Sequence, residues 1–253
     1  MRITFLGTGT SQGIPIIGST HPVCLSEDPK DRRLRVSVLI EWDDYKYVID
    51  CGPDFREQML RENCSKIDGI IFTHEHSDHV AGLDDIRPLC YRNGSMPIYA
   101  QQRVVDSLKR RFDYIFDAHN KYPGAPEIIV NVIKNKPFAL PEMKVIPIRA
   151  NHYFVDVFGY RFGDFIYLTD VKSVPAEEMH KFKNTKVLVV NALRITPHLS
   201  HFNLEEALNF IEEVNPERAY LTHISHLLGF HNEVEKMLPK HVYLAYDGLK
   251  ITV

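Results

Sequence analysis

Apolar residues fall along this chain in short runs rather than long stripes, and most runs end in Gly, Pro, Asn or Asp. Residues 2–6 predict a first strand, and the Gly-, Ser-, Pro- and Thr-rich stretch up to about residue 35 predicts a long loop. Val36–Trp42 and Tyr45–Asp50, joined by Asp43-Asp44, predict a hairpin. Pro53–Asn63, with Pro early and Asn late, predicts a helix. Gly69–Thr73 is the short β-rich run of a buried strand. Asp78–Tyr91 returns to helical spacing, with Val80, Leu83, Ile86 and Leu89 or Cys90 on one face. Residues 101–127 predict a helix and then an irregular aromatic segment ending in Tyr122-Pro123-Gly124.

The second half repeats the alternation. Strands are expected at 128–133, 143–149, 155–162, 165–169, 186–191, 218–222 and 242–246, and helices at 175–183, 203–214 and 232–238. Asn203 with Glu206 three residues on has the form of a capping box, which sets the start of its helix. The pattern predicts an α/β fold with two sheets packed between outer helices.

Composition narrows the classes. The 253 residues are 44% hydrophobic, enough for a sizeable core, and no linker, charge block or repeat divides them, so residues 1–253 are expected to form one domain. Thirty Lys+Arg against thirty-three Asp+Glu give a net charge of −3, which speaks against extensive nucleic-acid binding. Lys109-Arg110-Arg111 reads as a solvated helix face. The first residues lack the apolar core of a secretory signal, and no run approaches the ~20 residues that span a bilayer. Cys24, Cys51, Cys64 and Cys90 are too few and too scattered for a disulfide scaffold. A cytoplasmic protein without a membrane partner is the expectation, its thiols reduced or bound to metal.

The chemistry concentrates in Thr73-His74-Glu75-His76-Ser77-Asp78-His79, on a loop leaving a buried strand. Imidazoles suit zinc, iron or manganese, and a carboxylate suits the harder member of a metal pair. His74 and His76 are two apart and point the same way in extended backbone, whereas Asp78 and His79 follow the turn and can address a second ion. Further ligand types close later strands: His152 after 145–150, Asp170 after 165–168 and His223 after 218–221. The spacing differs from the helical H-E-x-x-H of zinc proteases, and the thiols lack a base partner nearby in sequence.

H-x-H-x-D-H followed by single His, Asp and His at later strand ends, with Asp50-Cys51-Gly52 before it, resembles the metallo-β-lactamase superfamily over the whole chain. Leu6–Pro15, Ser200–Leu204 and Leu221–His226 resemble its branch of phosphoribosyl 1,2-cyclic phosphate phosphodiesterases. The resemblance implies the four-layer αββα sandwich and two divalent ions, manganese, zinc or iron. It gives the first ion to His74, His76 and His152, the second to Asp78, His79 and His223, and the bridging position to Asp170. Asp50 would orient a ligand histidine. His201 matches an extra catalytic histidine that protonates the leaving alkoxide or clamps a phosphate oxygen, with His198 as its rival. Asp78 and Asp170 count with His201 as catalytic.

A structural zinc is also implied at the loop positions Ser19, His21 and Cys24 with His226, although Ser19 replaces a thiolate and leaves only His21, Cys24 and His226 as good ligands. The related enzyme suggests a homodimer. The expected activity is hydrolysis of a small cyclic or compact phosphodiester. The alternatives are an RNA-processing nuclease resembling tRNase Z, a thioester or lactam hydrolase, and a metal-stabilised binding domain without catalysis.

Overall fold

In the computed structural model, which describes residues 1–117 and 123–253, the short apolar runs become two seven-stranded sheets. The first half of the chain supplies β1 (Arg2–Gly7), β2 (Ser37–Trp42), β3 (Tyr45–Ile49), β4 (Gly69–Ile71), β5 (Met96–Ala100) and β6 (Ile128–Val132). The second half supplies β7 (Phe138–Leu140), β8 (Met143–His152), β9 (Val155–Phe162), β10 (Phe165–Leu168), β11 (Val187–Asn191), β12 (Arg218–Thr222) and β13 (Val242–Leu244). The last strand, β14 (Lys250–Thr252), returns to the first sheet and pairs with β1. Strand order is β14-β1-β2-β3-β4-β5-β6 in one sheet and β13-β12-β11-β10-β9-β8-β7 in the other. Each half opens with an antiparallel meander and continues in parallel, from β3 through β6 and from β10 through β13.

Helices cover the outer faces: α1 (Phe55–Arg61), α2 (Ser77–Val80), α3 (Arg87–Asn93), α4 (Gln102–Arg111), α5 (Asp113–Phe116), α6 (Leu204–Val214) and α7 (His231–Glu235). Alternation along the strands explains the layering. Tyr167 and Val189 face the opposite sheet and pack with Phe5, Ile40 and Ile49. Their neighbours Leu168, Leu188 and Val190 turn outward onto Ala207, Phe210 and Ile211 of α6. On the other side Val48 and Ile70 pack with Phe55, Leu89 and Val104 from the helices. Strands buried on both faces read as continuous apolar runs, as β10 and β11 do. The four layers are therefore helix, sheet, sheet and helix, as the sequence pattern predicts.

The capping box forms at the head of α6: Glu206 N donates to Asn203 Oδ1 at 2.9 Å, and Asn203 N donates to the Glu206 carboxylate at 3.0 Å. Other expectations change. The helix predicted over 78–91 is broken into α2, a 3₁₀ turn at Leu83–Ile86 and α3. Between them, a Cβ at Gly82 would lie 2.1 Å from the Gly52 carbonyl, so only glycine allows this close approach. Residues 176–182 form a 3₁₀ helix rather than an α-helix. β5 escapes the sequence pattern because Pro97 argues against an interior strand. β7 and β14 are three-residue strands at sheet edges. The part of the expected aromatic segment at 118–122 lies outside the described residues. Among the described residues, no helix is long and apolar enough to cross a membrane.

Candidate metal centre

Three of the strands that carry the site end in residues with left-handed backbone: Asp50 after β3 (φ 63°), Asp170 after β10 (φ 57°) and His223 after β12 (φ 54°). This conformation is uncommon outside glycine, and each instance costs on the order of 1 kcal/mol or more. All three side chains are buried and point into one cluster or its immediate support. Such outliers persist where the surrounding structure over-determines them, and here the surroundings are hydrogen bonds.

The strand ends bring the His and Asp side chains into groups whose candidate ligand atoms lie within 4.8 Å of one another: His74, His76 and His152; Asp78, His79, Asp170 and His223; and His152, Asp170 and His201. His74 Nε2 and His76 Nδ1 meet at 2.9 Å. His79 Nε2 lies 3.3 Å from Asp78 Oδ2 and 3.2 Å from Asp170 Oδ2. His223 Nε2 lies 3.1 Å from Asp170 Oδ1. All seven residues expected to hold metal are thus gathered.

The chain fixes the tautomers of three of them. Thr73 donates to both Asp50 carboxylate oxygens, from its amide at 2.8 Å and its hydroxyl at 2.7 Å. With that proton committed, Thr73 Oγ1 can only accept from His74 Nδ1 at 3.0 Å. His79 Nδ1 donates to Asp50 Oδ2 at 2.7 Å, and His152 Nδ1 donates to the Ser200 carbonyl at 2.8 Å. His74, His79 and His152 therefore each turn Nε2 toward the cluster, the arrangement that partners of ligand histidines impose.

A metal fits this donor set. His79 Nε2 and His223 Nε2 are buried without a hydrogen-bond partner, although carboxylate oxygens stand 3.1–3.7 Å away. Atoms that converge on a common point instead of on each other are arranged for a cation. Charge agrees. Burial alone would raise the Asp170 and Asp78 carboxyls, but the facing His223 and His79 imidazoles hold both below the ordinary carboxylate range. Against burial, the same carboxylates push His79 well up and His223 up to about 9, so the pocket favours positive charge. Burial pushes His74 well down and His152 down to about 4, keeping both as the neutral imidazoles that metal binding requires.

His201 is buried at the same edge. Its Nε2 lies 3.1 Å from Asp170 Oδ1, and its Nδ1 lies 2.9 Å from Ser200 Oγ and 3.2 Å from His198 Nδ1. His198 is more exposed than His201 and reaches the cluster only through it and Ser200.

The loop residues expected to hold a structural zinc have other neighbours here. His21 and His226 meet edge to face with ring centroids 4.7 Å apart. Cys24 packs instead with Ile14 and Val23, and His21 Nδ1 accepts from Val23 N at 3.3 Å as the cap of a 3₁₀ turn. Ser19 Oγ accepts from His21 N at 3.2 Å. Among the described residues, His21, Cys24 and His226 form no group of three ligands within 4.8 Å.

Of the supporting groups, sequence reasoning reached only Asp50, which holds His79. Thr73 is the clearest of those it missed, and the signal was a threonine before His74, Asp170 and His223 alike. Thr169 Oγ1 donates to Asp170 Oδ2 at 2.8 Å, so two of the three threonines orient a site carboxylate or imidazole. Ser200 acts through its carbonyl and hydroxyl, which no motif announces. Arg103 of α4 braces the motif by pairing with Glu75 and with the Asp156 carbonyl.

The family model of the beta-lactamase superfamily domain matches residues 45–224, a span that contains every residue of this cluster. The chain belongs to the metallo-β-lactamase superfamily. The superfamily's fold is that of metal-dependent hydrolases, which accords with the His/Asp cluster. A crystal structure of a new diphosphatase from the PhnP family superposes with a TM-score of 0.93 at 40% identity, covering 100% of this chain and 97% of that one. Human tRNase Z, short form, shares the fold at a TM-score of 0.72 and 19% identity, covering 100% and 99%. An octanoyltransferase of Porphyromonas gingivalis is 40% identical over 256 residues, covering 100% of this chain and 52% of that protein. A ribonuclease Z of Methanococcus maripaludis is 27% identical over 162 residues, covering 59% and 47%. The chain spans about half the length of these curated relatives.

Proposed function

We propose that this metallo-β-lactamase-superfamily chain is a two-metal phosphodiesterase acting on a small cyclic or otherwise compact phosphodiester. The position of Asp170 carries the reading, because it belongs both to the group with Asp78, His79 and His223 and to the group with His152 and His201. A carboxylate so shared can hold two cations close together. His74, His76 and His152 would hold one, and Asp78, His79 and His223 the other. The all-nitrogen-and-oxygen donor set suits zinc, manganese or iron. When bound, such a pair supplies an activated water nucleophile and offsets charge on the phosphoryl oxygens.

The chain's own residues do the rest. Asp50 and Thr73 hold His79 and His74 in the ligating tautomers. His201 carries a proton on Nε2, directed at Asp170, and Ser200 Oγ steadies its other nitrogen. This is the group positioned to pass a proton to a leaving alkoxide.

The PhnP-family diphosphatase at 40% identity supports phosphorus chemistry over carbon chemistry. The likeness to the octanoyltransferase supports no acyl transfer by this chain, because about half of that relative lies outside the match. A nuclease reading has the partial ribonuclease Z match in its favour and the net charge of −3 against it. The four cysteines form no disulfide with one another, consistent with the reducing cytoplasm, and the homodimer belongs to the same proposal.

The test is a substrate panel run on protein stripped with chelator and reloaded with Mn²⁺, Zn²⁺ or Fe²⁺. Metal-dependent cleavage of cyclic or simple linear phosphodiesters is expected. Cleavage of precursor tRNA alone would favour the nuclease, and turnover of thioesters or lactams alone would overturn the proposal.

A further inference from the structure

β8 and β9 pair through His152 and Val155, so Tyr153 and Phe154 are the whole of the connecting loop. Two-residue hairpin loops favour Asn, Asp or Gly, because the turn requires positive φ. Here Tyr153 takes φ 56°, a strained conformation for a bulky side chain. Packing does not account for the choice: Tyr153 is 55% exposed and Phe154 85%, with their ring centroids 3.8 Å apart. Two exposed aromatic rings thus sit on a strained turn directly beside His152, whose ring lies 4.6 Å from that of His201. The His152 bond to the Ser200 carbonyl ties the turn to the segment carrying Leu199, which is 74% exposed. Exposed apolar side chains thus stand on both segments that carry His152 and His201, and strain held at such a place points to function.

We propose that Tyr153 and Phe154 form an aromatic platform that stacks on a planar ring of the substrate, of the nucleobase class. This deepens the phosphodiesterase reading and rests on it. The phosphodiester would enter the cluster of His and Asp residues while its attached ring lies on the exposed aromatic pair. Bases stack on such faces without sequence preference, so the platform selects nucleoside esters as a class rather than one base.

The experiment compares two diesters with the same leaving group, thymidine 5′-(p-nitrophenyl phosphate) and methyl p-nitrophenyl phosphate. Each is assayed with Mn²⁺-loaded wild type, Tyr153→Gly and Phe154→Ala. Wild type is expected to prefer the thymidine ester, and each variant to lower that preference about tenfold, mainly through KM, as the loss of one stacking partner predicts. Metal content should be unchanged. Because glycine accepts the turn's φ, Tyr153→Gly should melt no lower than wild type. An unchanged preference in both fully metallated variants overturns the platform while leaving the phosphodiesterase reading intact. If wild type cleaves neither ester, the phosphodiesterase reading fails and takes the platform with it. A dimer that dissociates in both variants with the preference retained overturns the proposal and assigns the aromatic pair to contact between copies.

Discussion

His201 and Asp170 meet with Nε2 3.1 Å from Oδ1. Asp170 also receives His223 and His79 at 3.1 and 3.2 Å, so His201 is the third imidazole around one carboxylate. Proton donor, phosphate clamp and metal ligand are all compatible with that contact, and the leaving group separates them. His201→Ala should lower turnover of an alkyl-leaving phosphodiester by roughly 10²–10⁴-fold. A nitrophenolate, which departs without a proton, should show a much smaller loss. Equal losses on both substrates would replace the acid role with a clamp, and loss of a metal ion from the variant would make His201 a ligand.

Asp50 offers a test that touches no proposed ligand. It is fully buried and holds Thr73 and His79 through three hydrogen bonds. Asp50→Asn should weaken metal binding about 10–100-fold, the usual cost of losing the partner that orients a ligand histidine. Calorimetric titration of the metal-free variant reads this directly. Wild-type affinity in a folded Asp50→Asn protein would show that His79 needs no such support.

Much of this centre is legible in the sequence because its chemistry is local. Four of the proposed ligands fall within His74–His79, and the later ones each follow an apolar strand. The layered architecture is legible for the same reason, since doubly buried strands such as Phe165–Leu168 write themselves as unbroken apolar runs. What escapes is what depends on tertiary contact. The Ser200 carbonyl becomes a partner of His152 only when residues 48 apart are brought together. The break between α2 and α3 depends on the approach of Gly82 to Gly52. The packing of Cys24 with Ile14 and Val23 is likewise a contact that the loop's sequence does not announce.

Acid should destabilise the protein through His231, which is 2% exposed with its Nδ1 3.2 Å from Arg33 Nη2. Burial first, and then the Arg33 charge, hold this histidine down to about 4. The unfolded chain takes up its proton near pH 6.5, whereas the folded chain waits until about pH 4. Between these values the unfolded state binds more protons, so this contribution is complete above pH 6.5 and is lost as pH falls toward 4. Its size is on the order of 3 kcal/mol at most. Urea denaturation at pH 7 and pH 4.5 should show a smaller pH dependence in His231→Gln than in wild type. Identical dependence in the two proteins would remove His231 from the account.

The most direct measurement of the central claim is metal stoichiometry by mass spectrometry of the elements, on wild type and Asp170→Ala equilibrated with excess Mn²⁺ or Zn²⁺ and then desalted. Seven converging His and Asp side chains exceed what one four-coordinate ion uses. Wild type should retain close to two ions per chain, and Asp170→Ala, without the shared carboxylate, should retain fewer and lose turnover while staying folded. A saturated wild type that holds only one ion, or an Asp170→Ala protein that keeps both with near-normal rates, would contradict the two-metal centre.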